Sequence, residues 1–344
     1  METEPFDKNK QSLSDIIEDK RLLVFSKYAH HINLDSSQIK EFKDLDETKN
    51  ILDLSSDTKK MIVYVNHSPY HLINDIVGDV CWFLSQSESH QVILNLEFEG
   101  YQTSAPTGRD SRKYVMDIVE MLKREYKSRV LVYSLAKYDA VIVNNFYVNY
   151  APISMASRTN SSYDFFKKTA DLNSSIVPSK KVYLSRRYNT GQKFLAIHEG
   201  KPVEIDHDRI KNESLLEAFF SSKGYEIVCP EEFSSFKEQA QFFSQVSTMV
   251  SVTSSGLVNS LFMKPGQLVV ELMTLLPLTN GRMSLVDHNP PRFEIEEYIL
   301  EAHHFYKTMA YSKNHMYISI PNLDKKSETI IKSIENNKVL SSIL

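Results

Sequence analysis

Three short apolar runs in the second half of the chain end in residues suited to holding a diphosphate. Lys181-Val182-Tyr183-Leu184 leads into Ser185-Arg186-Arg187, Thr248 to Val252 into Thr253-Ser254-Ser255-Gly256, and Gln267 to Val270 into Glu271. A guanidinium grips phosphate oxygens through a planar fork of donors. Small residues opening a helix let backbone N–H groups and hydroxyls approach the same oxygens. A carboxylate ending a buried strand is suited to ribose hydroxyls. In a parallel α/β sheet such residues meet, because ligands sit outside the carboxyl ends of the strands. The set points to a nucleotide diphosphate, and through it to a nucleotide-sugar enzyme. Neighbouring side chains point to opposite sides, so one Arg is expected on the phosphate, and Arg186 is favoured.

Each piece also has a plainer reading. The Arg pair fits a solvated turn, Thr253 to Gly256 an ordinary strand-to-helix turn, and Glu271 a strand terminus. Glu213 fits a first-turn carboxylate favoured by the helix dipole.

An acceptor hydroxyl needs a general base. His71 and Asp75 are four apart in an amphipathic stretch, Tyr70 to Leu84, which sets them on one helix face. The carboxylate would orient the imidazole and raise its basicity; which of the two takes the proton stays open, and His67 is a further candidate. An exposed pair with no catalytic part fits the same spacing. Asp206-His207-Asp208 resembles a metal site but lies in a charged stretch, not at a strand end. His30-His31 and His303-His304 lack Cys or carboxylate partners at zinc-ligand spacing. No metal and no other cofactor is expected.

The elements that would position these residues alternate. Met61 to Val65, Val92 to Leu96, Val130 to Tyr133 and Ala140 to Val143 read as strands, with helices at Tyr70 to Leu84 and Ser111 to Tyr126. Nearly continuous apolar strands alternating with helices argue for parallel sheets covered on both faces. Leu22 to Phe25 reads as an earlier strand, and Asp44 to Lys60 as a surface loop or exposed helix. Between Asn144 and Pro178 the pattern dissolves, with a short helix near Tyr163 to Ala170. In the second region Asn212 is the expected cap of a helix stopped by Gly224, followed by a strand at Tyr225 to Cys229. Ser235 and Glu238 form a capping box. Tyr317 to Ile320 reads as a last strand. Three parts are expected: residues 1–176, an acceptor-side Rossmann-like domain; 177–324, a nucleotide-sugar domain; and 325–344, a C-terminal helix packing back on the N-terminal domain.

The 344 residues suffice for two cores, and 42% hydrophobic with 24% charged residues is a soluble globular balance. A net charge of -4 gives no basic face for nucleic acid. Cys81 and Cys229 lie in apolar runs and form no disulfide framework. Met1 to Lys20 is too polar for a signal peptide, and no apolar run reaches the roughly 18 residues of a membrane span. A cytoplasmic location, bacterial or in a viral host, is expected, with any membrane contact peripheral.

The ordered series in the second half resembles glycosyltransferase family 61, the group of protein O-GlcNAc transferases, plant xylosyl- and arabinosyltransferases and microbial polysaccharide enzymes. It runs Leu184-Ser185-Arg186-Arg187, Asn212-Glu213, Gly224 to Val228, Pro230-Glu231, Glu238-Gln239, Gly256-Leu257-Val258-Asn259-Ser260-Leu261-Phe262-Met263-Lys264-Pro265-Gly266 and Val270-Glu271-Leu272. In the first half, Asn66 to Asp75 resembles the family's His-then-Asp element. The resemblance implies a GT-B fold, two Rossmann-like domains facing across a cleft. It also implies an inverting, metal-independent transfer from a UDP-sugar, with GlcNAc or xylose foremost, to a glycan hydroxyl. Donor contacts would come from Ser185, Arg186, Arg187, Glu213, Thr253, Ser254, Ser255, Gly256, Leu257, Asn259 and Glu271, and catalysis from His71 and Asp75. The chain departs from the family at Thr253 to Gly256, where a His-Gly-Ala-Gly type loop is usual. A nucleotide- or glycan-binding protein that has lost turnover is therefore the alternative.

Overall fold

Apolar runs become strands in two separate parallel sheets. The computed structural model describes residues 51–54, 56–65, 72–96, 112–135, 140–143, 146–148, 155–172, 175–189, 193–198, 201–206, 210–274, 306–322 and 326–344. The expected strand at Leu22 to Phe25 lies outside them. The chain forms two compact units, residues 1–101 with 118–153, and residues 102–117 with 154–344.

The first unit holds β1 (Ile51–Asp53), β2 (Lys60–Val65), α1 (Val77–Ser85) and β3 (Gln91–Leu96). The helix α2 (Arg112–Tyr126) follows, its last turns in this unit, then β4 (Val130–Tyr133), β5 (Ala140–Ile142) and β6 (Phe146–Val148). The sheet order β4-β3-β2-β6 is parallel throughout, and β1 pairs with β5 in a small parallel pair. Ile51–Asp53 is thus strand, not the expected loop or helix; its Ile-Leu pair lines up with Ala140 and Val141. Met61, Ile62, Val92, Ile93 and Leu94 are buried with Val80, Ile118, Val119 and Leu122 of the flanking helices. Chain order reverses between β2 and β6, so residues leaving β2 at Val65 do so at the switch point where such sheets place ligands.

The second unit holds α3 (Met155–Thr169), β7 (Lys180–Leu184), an antiparallel hairpin of β8 (Lys193–His198) and β9 (Lys201–Asp206), α4 (Glu213–Ser222) and β10 (Glu226–Val228). It continues through α5 (Phe236–Phe243), β11 (Val246–Val252), a 3-10 helix Ser255–Phe262, β12 (Leu268–Thr274), helical residues 306–312 and β13 (Met316–Asn322). It ends in α6 (Ser327–Asn336) and α7 (Lys338–Ile343). Its parallel sheet runs β10-β7-β11-β12-β13, reversing between β7 and β11.

Strand alternation divides this sheet's side chains between two layers. Tyr183, Val250, Val252, Val270 and Leu272 pack with Leu216 and Phe220 of α4 and with Ile330 and Ile334 of α6. On the other layer Phe166, Phe236 and Phe262, from α3, α5 and the 3-10 helix, meet at ring separations of 5.1 to 5.5 Å. Both faces are covered, which is why β-branched and apolar residues dominate the central strands with few polar interruptions.

The C-terminal segment departs from the single helix expected on the N-terminal domain. It is two helices, and its apolar stripe completes the second unit's own core with Leu344. Asn337 splits them by accepting from the N–H groups of Val339 and Leu340. Asn212 stands at the start of α4 with φ 57°, but its side chain donates to Glu328 of α6 instead of capping. Ser235 caps α5 as expected, while Glu238 reaches Ser234. Gly224, at φ 80°, makes the stop that a side chain would strain.

Candidate functional site

The reversal between β7 and β11 brings two segments to one end of the second sheet: Ser185 to Arg187, and Thr253 to Gly256. Each is fastened from below by carboxylates.

Under the β7 turn lie Glu213 and Glu217, one turn apart on α4. Glu213 Oε1 accepts from the Arg186 backbone N–H at 2.7 Å and from the Tyr183 hydroxyl at 3.2 Å. Burial pushes this carboxyl above its ordinary value, against the pull of the Arg186 amide and guanidinium and of Tyr183. The Ser185 hydroxyl donates to Glu217 and accepts from the Arg187 N–H at 3.1 Å. Ser185 is 2% exposed. The Arg187 guanidinium pairs with Glu232 at 3.3 Å, both side chains partly in solvent, and lies by the Tyr188 ring. Cys229, beside Ser185, is buried, which raises its thiol to about 11.

Under the β11 loop lies Glu271, with no exposed surface. One oxygen accepts from the Thr253 hydroxyl at 2.7 Å and the other from the Tyr317 hydroxyl. Burial, then the Glu271 charge, drives the Tyr317 hydroxyl far above its usual range. Thr253 N–H continues the ladder to Leu272. The Ser254 hydroxyl accepts from Gly256 N–H, and Leu257 N–H bonds the Ser254 carbonyl. Asn259 holds the Gly256 carbonyl at 2.9 Å and is itself held by Gln239 at 2.6 Å. A Cβ at Gly256 would stand 3.2 Å from Ser254 Oγ and 3.3 Å from Leu184, so glycine fits this approach closely.

Among the described residues, the backbone N–H groups of Ser254 and Ser255 bond no protein acceptor, and Ser255 is the exposed hydroxyl of the loop. Those groups stand at the carboxyl end of the sheet, and Arg186 follows β7 at the same end, its guanidinium near Glu213. Asn259, Leu257 and Glu213 are buried in the framework instead, and the Thr253 proton is engaged by Glu271. Glu217, Gln239 and Tyr317 belong to this framework, and sequence reasoning does not find them in it.

Of the expected base pair, His71 lies outside the described residues, as do His67 and the pairs at 30–31 and 303–304. Asp75 falls in a π-helical turn, Leu72–Ile76, that leads into α1. Its backbone therefore departs from the 3.6-residue period on which the shared face is argued, and π turns recur at functional sites. Asp206 ends β9, with His207 and Asp208 outside the described residues. No group of three or more His, Cys, Asp or Glu among the described residues is placed to hold a metal. A cavity of about 590 Å³ lined by Lys167, Asp171, Leu172, Ile176, Gln241, Ser244 and Gln245 holds none of the expected residues. Gln245 bonds Lys180 at the start of β7, so this cavity lies at the opposite end of the strands. No helix of the described residues is long and apolar enough to cross a membrane.

The family model for Glycosyltransferase 61 matches residues 70–270. No curated protein matches the chain. Among solved structures, the iron-containing dodecameric glycosyltransferase TibC of enterotoxigenic E. coli is similar at 12% identity, over 82% of this chain and 77% of that one, with a TM-score of 0.35. TibC as a heptosyltransferase in complex with ADP-D-beta-D-heptose is similar at 11% identity, over 87% and 79%, again at 0.35. Both neighbours are glycosyltransferases; likeness at this level says nothing about donor or metal here.

Proposed function

The chain belongs to glycosyltransferase family 61, and from that premise we propose that it moves a sugar from a UDP-sugar to a glycan hydroxyl with inversion. GlcNAc or xylose is the sugar most in keeping with the family. The observation that carries the reading is the strand-end arrangement: Arg186 and the N–H groups of Ser254 and Ser255 stand at the switch point of a parallel sheet.

In the transfer, the bond from the anomeric carbon to the diphosphate oxygen breaks as the bond to the acceptor oxygen forms. The leaving diphosphate gains negative charge, and fixed donors aimed at that charge lower the barrier. Arg186 supplies a permanent cation and the loop supplies two oriented dipoles, so this reading requires no divalent ion. The acceptor proton passes to Asp75 or His71, both in the stretch of sequence that follows β2. A parallel sheet of four strands in the first unit and one of five in the second support the GT-B reading with the donor on the second.

Incubation of the full chain with UDP-sugars and a glycan panel, with and without chelator, tests the proposal. Release of UDP and glycan extension that persist under chelator are expected. Arg186→Ala should lower turnover at least tenfold while remaining folded. Absence of transfer from every donor contradicts it.

One observation favours a second reading, in which the chain binds nucleotide without turnover. Thr253 stands where the family usually has a loop His, and its hydroxyl proton is engaged by Glu271. Tight UDP binding with no transfer would select that reading.

A further inference from the structure

We propose that Glu217 is a positioning residue for the donor site, acting through Ser185 on the backbone of Arg187. Glu213 does the same directly for Arg186. This rests on the donor reading above, adds Glu217 to it and reassigns Glu213, both holding the guanidinium-bearing turn without touching the donor.

The bonds form a series. Glu217 accepts the Ser185 proton, and Ser185 Oγ then accepts the Arg187 N–H at 3.1 Å. One residue earlier, Glu213 accepts the Arg186 N–H at 2.7 Å. Two consecutive amides of the turn are thereby tied to one face of α4, since residues four apart on a helix share a face. A serine hydroxyl has one proton to give. That of Ser185 goes to Glu217, in a residue 2% exposed, which makes Ser185 a relay and not a phosphate donor. The start of α4 is fixed in turn by α6: Ser327 Oγ donates to the Lys211 carbonyl at 2.7 Å, and Asn212 to Glu328 at 3.1 Å. The turn that carries both arginines is thus anchored through α4 to α6. A guanidinium contributes to diphosphate affinity only if its backbone holds it in register, and small misplacements are costly.

The experiment is calorimetric titration of the full-length chain with UDP, ADP and GDP, with the melting temperature recorded alongside. The set is wild type, Glu217→Ala, Glu217→Gln, Ser185→Ala and the Ser185→Ala/Glu217→Ala double variant. Each alanine variant should weaken the preferred nucleotide about tenfold, the scale of one lost charge-assisted hydrogen bond. Because the bonds act in series, the double variant should be no weaker than either single. An amide carbonyl still accepts the Ser185 proton, so Glu217→Gln should bind within about threefold of wild type. If the Glu217→Ala variant fails to fold, Ser185→Ala carries the same comparison. Unchanged affinity in both alanine variants, or losses that multiply in the double variant, would overturn the relay. A wild type that binds none of the three nucleotides would remove the donor reading and the relay together.

Discussion

The two segments that meet at the carboxyl end of the second sheet are held by the same chemistry from different places. The β7 turn is tied by Glu213 and Glu217, which come from a helix laid on one layer of the sheet. The β11 loop is tied by Glu271, a residue of the neighbouring strand whose two oxygens take hydroxyls from Thr253 and Tyr317. A carboxylate within a buried strand has no freedom to adjust, whereas one on a helix moves with the helix. The β11 loop should therefore behave as part of the fold, and the β7 turn as a tuned part of the site.

The comparison breaks most readily at Glu271. Glu271→Ala removes a buried carboxylate that accepts from the Thr253 and Tyr317 hydroxyls and should cost roughly 3 to 5 kcal/mol in urea denaturation. A loss under about 1 kcal/mol would place Glu271 with the tunable group.

A pH effect of similar size comes from the opposite end of the same sheet, where His315 sits beside Gln267 at the start of β12. His315 accepts from Gln267 N–H through Nδ1 and donates to the Ser260 carbonyl through Nε2, so it is held neutral. Burial lowers its pKa to about 4, with nearby Lys313 adding to the fall. The unfolded chain takes the proton first as pH drops below about 6.5. Stability is therefore fully present above that value and is lost between about 6.5 and 4, by on the order of 3 kcal/mol. Denaturation curves at about pH 7.5 and 4.5 for wild type and His315→Gln should show the difference shrinking in the variant.

Gly256→Ala sharpens the comparison at the loop itself. The added Cβ meets Ser254 Oγ and Leu184 at the distances given above, and a cost of about 1 to 2 kcal/mol is expected. Arg187 supplies the smallest effect on stability. Glu232→Ala removes a surface ion pair and should change unfolding free energy by about 0.5 kcal/mol or less. The same change removes one of the groups that hold the guanidinium, beside Cys229 and Glu217, and should tighten nucleotide binding if the β7 turn is the adjustable part; calorimetry with UDP reads it.

Legibility follows the physics of each element. β2, β3, β7, β11 and β12 are readable because both faces are covered, so β-branched and apolar residues dominate each run even where Ser247, Ser251 or Glu271 interrupts it. β6 escapes because Phe146-Tyr147-Val148 sits among asparagines, Asn144, Asn145 and Asn149, which imitate a loop. The β8–β9 hairpin escapes because Lys, Glu and Pro202 interrupt its alternation, although Gly200, between the two runs in sequence, is a usable signal. The split of the last helix is written in Asn336-Asn337. At the candidate site, the strand-end placement of Ser185, Arg186 and the loop from Thr253 is legible because the runs before them read as strands. Glu217 and Tyr317 are not, since each acts through a partner distant in sequence. The one trace of Glu217 is its place four residues after Glu213. Asn259 reads as a donor contact, but its amide is committed to Gly256 and Gln239.

The most direct test is a structure of the full-length chain with the nucleoside diphosphate it binds most tightly. The account predicts phosphate oxygens within about 3 Å of the Ser254 or Ser255 N–H groups and of the Arg186 guanidinium. A nucleotide bound in the first unit, or held in the second through a cation with those groups untouched, would contradict it.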